Sequence, residues 1–198
     1  MAATLTWQGP IGPGAFPDDP LLFETLCTAG VYLRIKRYDG GRVVAYAGQS
    51  VSLLARFDQH LAAMLSLAAP LRDASGSVVF AGDAGARLEA YADLGTMAAL
   101  AAADAGRVRF FYALCDDYFH QEHLNLAEGL LQRRIASRLS PGLLAVENAV
   151  AAPARMPDDC PDVWENDCSG LDEPGRAVVK GLLGEMPMRL EEASGGVV

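Results

Sequence analysis

Apolar positions along the chain recur first at every second residue and then at a helical period, and each change of period marks an element. Residues 30–38 and 42–48 are rich in β-branched and aromatic side chains and flank the turn sequence Tyr38-Asp39-Gly40-Gly41. They predict a β-hairpin. The period then lengthens. Leu54, Phe57, Leu61 and Leu65 form one helical stripe, with Ser50 or Ser52 placed to cap its start. Residues 76–82 ("GSVVFAG") predict a short strand, and the Ala-rich run 86–104 predicts a helix broken near Gly95. Residues 107–115 ("RVRFFYALC") predict a third long strand. Residues 116–139 predict a helix with acids in its first turn, an apolar stripe of Leu124, Leu131 and Ile135, and a stop at Pro141-Gly142.

The ends of the chain are less regular. Residues 1–20 carry many Gly and Pro and read as an irregular arm, followed by a short helical segment at 21–29. Residues 151–198 read as a loosely ordered tail with one helix near 175–183. The predicted fold is α+β: a small mixed or antiparallel three-stranded sheet flanked by helices. The expected divisions are an arm and short helix (1–27), a main domain (28–150) with an inserted helical segment at about 67–106, and an acidic C-terminal tail (151–198).

Composition narrows the class. The chain has 198 residues, 51% of them hydrophobic, enough for one sizeable core. No apolar run approaches the ~20 residues of a membrane helix, and the start lacks a basic n-region and an apolar h-region, so no secretion signal is expected. Four cysteines without a C-x-x-C pair fit a reducing setting, with Cys27 and Cys115 expected to be buried. The expectation is a cytoplasmic or nucleoid-associated protein, neither membrane-bound nor secreted. The net charge of −9 argues against a general nucleic-acid coat protein. It is unevenly spread, however. Residues 30–60 hold five bases (Arg34, Lys36, Arg37, Arg42 and Arg56) against two acids (Asp39 and Asp58), whereas residues 151–198 hold ten acids against four bases.

The basic stretch contains two of the six tyrosines, Tyr32 and Tyr46, one on each strand of the hairpin. Aromatics suit strands for packing reasons alone, so the residues that follow decide their meaning. Arg56 and His60 lie four apart on the next helix and project from one face. Arg56 offers a planar fork for phosphate, and His60 titrates near neutral pH. In the later helix Glu128 falls inside the apolar stripe, where a carboxylate is costly unless it is paired or binds a metal. Together these residues suit phosphodiester hydrolysis. Glu128 would hold Mg²⁺ or Mn²⁺ as a single carboxylate ligand. Arg56 would stabilise charge on the phosphate. Tyr32 or Tyr46 would orient or deprotonate water, provided a neighbouring cation lowers the phenol's pKa.

"GVY" at 30–32, "YAGQS" at 46–50, Arg56 ten residues after Tyr46 and His60 fourteen after it resemble the GIY-YIG nuclease superfamily. "LAEGLL" around Glu128 is similar to that family's metal-binding element, and Asn148 in "VENAV" stands where an asparagine often completes the pattern. Val31 and Ala47 replace the usual isoleucines. The resemblance covers residues 28–66 and 107–150. It implies a metal-dependent DNA endonuclease with Tyr32, Tyr46, Arg56, His60 and Glu128 as catalytic residues, and with Gly48, Gln49, Ser50 and Asn148 near substrate. The alternative is a non-catalytic interaction module on the same scaffold, its acidic tail engaging a protein partner or inhibiting DNA binding, with Trp164 either a docking anchor or a residue that packs the tail onto the domain. Two further groupings are weaker. His120 and His123, near Asp116, Asp117 and Glu122, read as a polar first helical turn with exposed histidines rather than a second metal site. Cys160 and Cys168 have no histidine nearby to complete a zinc site.

Overall fold

Strand β2 (Gly30–Arg37) is buried at every position but its last. It alternates Val31, Leu33 and Ile35 on one face with Tyr32, Arg34 and Lys36 on the other. The apolar set enters a core shared with helices α5 (Gln121–Ser137) and α6 (Glu173–Leu183). Tyr32 enters a second core with α1 (Leu22–Leu26), α2 (Leu53–Leu65) and α4 (Leu94–Ala105). The computed structural model describes residues 2–114, 121–138, 142–147 and 160–190.

The predicted hairpin is present. Strand β3 (Val43–Ser50) runs antiparallel to β2, with Arg34 opposite Tyr46 and Tyr32 opposite Gly48. The turn between them has positive φ at Gly40 and Gly41, a conformation glycine adopts without strain. On the other side of β2 lies β6 (Val108–Leu114), also antiparallel. This trio does not make the whole sheet, and the expected three-stranded sheet is corrected. The sheet has seven strands in the order β7-β3-β2-β6-β1-β8-β9. Strand β1 (Ala2–Ile11) pairs antiparallel with β6, and β7 (Leu143–Val146) pairs parallel with β3.

Two of the added strands come from the segment expected to be a tail. Strand β8 (Val163–Asp167) runs parallel to β1, and β9 (Met188–Arg189) completes that edge. The physical reason lies in short apolar alternations. Ala3, Leu5 and Trp7 are buried at every second position of β1, a pattern that the Gly and Pro content of residues 9–17 obscures. In β8, Trp164 is 1% exposed and its indole N–H bonds Pro161 O at 3.1 Å. It is a core residue, not an exposed anchor. Trp7 Nε1 donates to Asn166 Oδ1 at 2.9 Å, tying the first strand to the C-terminal segment. Asp172 caps α6 by accepting from Gly175 N at 2.8 Å, while Val179, Leu182 and Leu183 are buried. The acids of this segment therefore decorate an amphipathic element whose apolar stripe belongs to the main core.

The insert at 67–106 is more than helical. It holds a small hairpin, β4 (Leu71–Arg72) and β5 (Val78–Phe80), then α3 (Ala84–Ala90) and α4. One buried carboxylate fastens it to the sheet. Asp104, near the end of α4, is fully buried and accepts from Lys36 Nζ at 2.9 Å and Tyr38 Oη at 2.8 Å. Lys36 is 1% exposed.

Asp104→Ala removes the close partner of the buried Lys36 ammonium and leaves it only the longer ion pair with Glu147 at 3.9 Å, a change worth about 3–5 kcal/mol. Urea denaturation of the variant is expected to show a loss of that size. A loss under about 1 kcal/mol would mean that Lys36 reaches water by another route.

Candidate functional site

The site grows from the polar face of β2. Tyr32 lies opposite Gly48, and its ring occupies the space that a side chain at 48 would fill. A Cβ on Gly48 would sit 2.5 Å from Cζ of Tyr32. The glycine of the second triplet therefore makes room for the tyrosine of the first. Gly30 has a separate reason, since a Cβ there would run into the carbonyl of Ala113. With its ring laid over Gly48, Tyr32 stacks on Phe110 (centroids 4.5 Å apart, planes at 16°) and lies parallel to Tyr46 (5.9 Å, 12°). The two tyrosines share one face of the sheet.

Helix α2 starts where Ser52 Oγ accepts from Ala55 N at 3.4 Å, so Ser52 is the cap. Ser50, 9% exposed, donates to Ser52 O at 2.6 Å and shapes the turn into the helix. One helical turn separates Arg56 from His60. The imidazole of His60 sits between two partners: Nε2 is 2.9 Å from Tyr32 Oη and Nδ1 is 3.0 Å from Arg34 Nη1. A guanidinium only donates, so Nδ1 is the acceptor. The neutral ring then carries its proton on Nε2 and donates to the Tyr32 oxygen. Burial, together with the charges of Arg34 and Arg56, pushes the His60 pKa from its usual 6.5 down to about 3. His60 is thus a neutral donor of fixed tautomer. Arg34 also lies over the Tyr46 ring, 5.0 Å from its centroid, and pairs with Glu147.

The expectation that a cation lowers the Tyr32 pKa is corrected. Burial raises it above the usual tyrosine range, and Tyr46 adds to the rise. The charges of Arg56 and Arg34 oppose the shift without reversing it. The resting phenol is neutral.

Helix α5 packs on the other face of the sheet and presents Glu128 within the field of Arg56. Its carboxylate is half-buried and accepts from Gln132 Nε2 at 3.1 Å, and Gln132 also bonds Ala47 O at 3.2 Å. Burial raises the Glu128 pKa, with Arg56 opposing. Arg56 therefore exerts its field on Tyr32, His60 and Glu128 alike. Among the described residues, its own Nε is buried with no hydrogen-bond partner. Glu128 forms no ion pair within the described residues. These residues also contain no group of three or more ligating side chains. A lone, unpaired carboxylate fits Mg²⁺ or Mn²⁺, which keep several waters and take oxygen ligands from substrate.

The other expected residues divide. Gly48 is taken up by the Tyr32 ring. Gln49 Nε2 donates to Asn125 Oδ1 at 3.1 Å, linking β3 to α5. Asn148 lies outside the described residues, as do Cys115, Asp116, Asp117 and His120. His123 is 2% exposed, not a surface histidine. Cys27 is exposed at the end of α1 rather than buried, Cys160 is half-buried with its Sγ 3.7 Å from Pro161 O, and Cys168 is buried. Sequence reasoning missed Arg34, Lys36, Arg72, Asp104 and Glu147. Arg34 and Lys36 left a partial signal, because charges at every second position share one face of the strand, the face that also carries Tyr32. Asp104 and Glu147 left none.

No protein-family model matches the chain, and no curated protein or solved structure shows significant similarity to it. No helix among the described residues is long and apolar enough to cross a membrane.

Gly48→Ala forces the Tyr32 ring to move and is expected to cost about 1–3 kcal/mol in overpacking. In a double-mutant cycle with Tyr32→Ala most of that cost should disappear. An undiminished cost would place the strain elsewhere.

The depressed His60 pKa predicts a pH signature. Between pH 6.5 and 3 the unfolded chain binds a proton at this residue that the native state refuses, so stability falls as pH falls through that window. The stability of wild type relative to His60→Asn should decline from pH 6.5 to 3 and level off at both ends. A constant difference would show that His60 titrates normally in the fold.

Proposed function

We propose that this chain is a divalent-metal-dependent endonuclease that hydrolyses DNA phosphodiester bonds with a GIY-YIG-like constellation. The observation that carries the reading is Arg56. It is a guanidinium with a buried, unpartnered N–H, set among a tyrosine, a neutral histidine and an unpaired carboxylate. A buried donor without an acceptor costs about 1–3 kcal/mol. A non-bridging oxygen of a phosphodiester would satisfy it and receive its charge.

The remaining roles follow from the same geometry. Tyr32 is the group nearest in chemistry to an attacking water. It enters as a neutral phenol that orients the water. To act as base it must first lose its own proton to solvent; the His60 Nε2–H and the charges of Arg56 and Arg34 favour the resulting phenolate, which takes the water's proton as the hydroxide attacks phosphorus. His60 cannot itself accept that proton from Tyr32, because Nε2 already bears hydrogen and Nδ1 is held by Arg34. Arg34 is a positioning residue that selects this tautomer. Tyr46 packs beside Tyr32 and under Arg34, which restricts both. Glu128 would hold the metal ion, which when bound supplies Lewis-acid polarisation of the phosphate and stabilises the leaving oxygen.

The test is incubation of purified protein with plasmid and branched DNA in Mg²⁺, Mn²⁺ or EDTA. Wild type should cut in metal only. Glu128→Ala and Tyr32→Phe should fold and be nearly inactive. Arg56→Ala should lose about 10²–10³-fold in kcat with little change in DNA affinity, as expected for charge stabilisation in the transition state. Intact DNA under every metal condition, or full activity in the Glu128 and Arg56 variants, would overturn the reading and favour the non-catalytic module.

A further inference from the structure

Behind the proposed catalytic residues lies a cavity of about 430 Å³ that shares Tyr46 and His60 with them. Its lining is of two kinds. Arg34, Lys36, Arg72 and Glu147 are buried or nearly so, and they form its inner end. Met64, Pro70, Val78 and Ala81 form an apolar wall, contributed mostly by the insert, and Val78 is 51% exposed at the mouth. The polar groups satisfy one another. Glu147 accepts from Arg34 and, at 3.3 Å, from Arg72 Nε, while Lys36 is bound to Asp104. Three cations meet two carboxylates, so the inner end keeps one surplus positive charge.

This chemistry selects the occupant. A lone phosphate would leave the apolar wall uncovered and would meet cations already engaged by carboxylates. An aliphatic ligand would match the wall but not the polar, charged inner end. A flat, neutral ring with acceptors on its edge suits both parts: its faces lie against apolar side chains and its edge meets the guanidiniums and the carboxylate. The volume lies in the range of small-molecule pockets and exceeds what a phosphate needs. Because the cavity shares Tyr46 and His60 with the cleavage site, a group held there belongs to a nucleotide adjoining the cut.

We propose that the cavity receives the base of the nucleotide next to the scissile phosphodiester, turned out of its stack. This rests on the nuclease reading and adds to it that the insert is a base-holding element. Extruding a base costs a few kcal/mol, least where it is unpaired or mismatched, so such a pocket favours substrates with weakened stacking.

The experiment uses 2-aminopurine, whose fluorescence rises when it leaves the stack. It is placed in turn at each position flanking a cut site mapped on duplex DNA, and the full-length protein is added in EDTA so that binding is read without cleavage. Wild type should raise the signal severalfold at one position beside the cut. Ala81→Trp, at an exposed position on the wall, fills the cavity and should abolish the rise while changing the DNA Kd less than threefold. Val78→Trp serves the same purpose should the first variant misfold. If wild type cuts the duplex yet unstacks no position, or if the plugged variants unstack it as well as wild type, the pocket assignment is wrong and the nuclease reading stands. If wild type neither binds nor cuts DNA, the nuclease reading falls and the pocket assignment falls with it.

Discussion

A strand buried on both faces can carry charge only if its neighbours neutralise it, and strand β2 carries two charges. Arg34 and Lys36 project from its polar face at 7% and 1% exposure. Each is answered by a carboxylate from a distant part of the chain, Glu147 for Arg34 and Asp104 for Lys36. Removing either carboxylate would leave a charge in a low-dielectric interior, where an unpaired ion costs several kcal/mol. The arrangement therefore requires that the insert and the segment after α5 dock on this face. The site is a consequence of that requirement, because Arg34 also selects the tautomer of His60 and lies over Tyr46.

The tyrosine pair illustrates how packing precedes chemistry. Tyr32 stands where it does because Gly48 leaves its ring a place and Phe110 stacks on it. Its oxygen then meets the one imidazole hydrogen that Arg34 has left available. Burial keeps both groups neutral: it raises the phenol's pKa and lowers that of the imidazole. Among the described residues, the charged side chains that act on Tyr32 and His60 are Arg34 and Arg56.

The remaining architecture supports this centre from behind. The opposite face of β2 packs on α5 and α6, so the helix that presents Glu128 is clamped between the sheet and the C-terminal segment. Arg134 reinforces the clamp by donating to the carbonyls of Met186 and Pro187 at 3.1 and 2.8 Å. Acidic composition in residues 160–190 therefore reflects an exposed surface over a well-packed core, and the segment is integral to the sheet.

What the sequence by itself determined is local. Apolar alternation and the Tyr-Asp-Gly-Gly turn specified the hairpin, helical spacing placed Arg56 beside His60, and a carboxylate within an apolar stripe singled out Glu128. Each of these is a statement about side chains a few residues apart, which the backbone periods of 2 and 3.6 decide without outside help. Only the tertiary structure decided the number of strands, because β7, β8 and β9 are short and the alternation of β1 is obscured by the Gly and Pro at its end and after it. It alone decided the partners of Arg34 and Lys36, which lie 113 and 68 residues away. It also reversed the sense of the Tyr32 pKa. Spacing to a cation can be read from a helix, but burial is a sum over the whole fold, and here burial outweighs the cation.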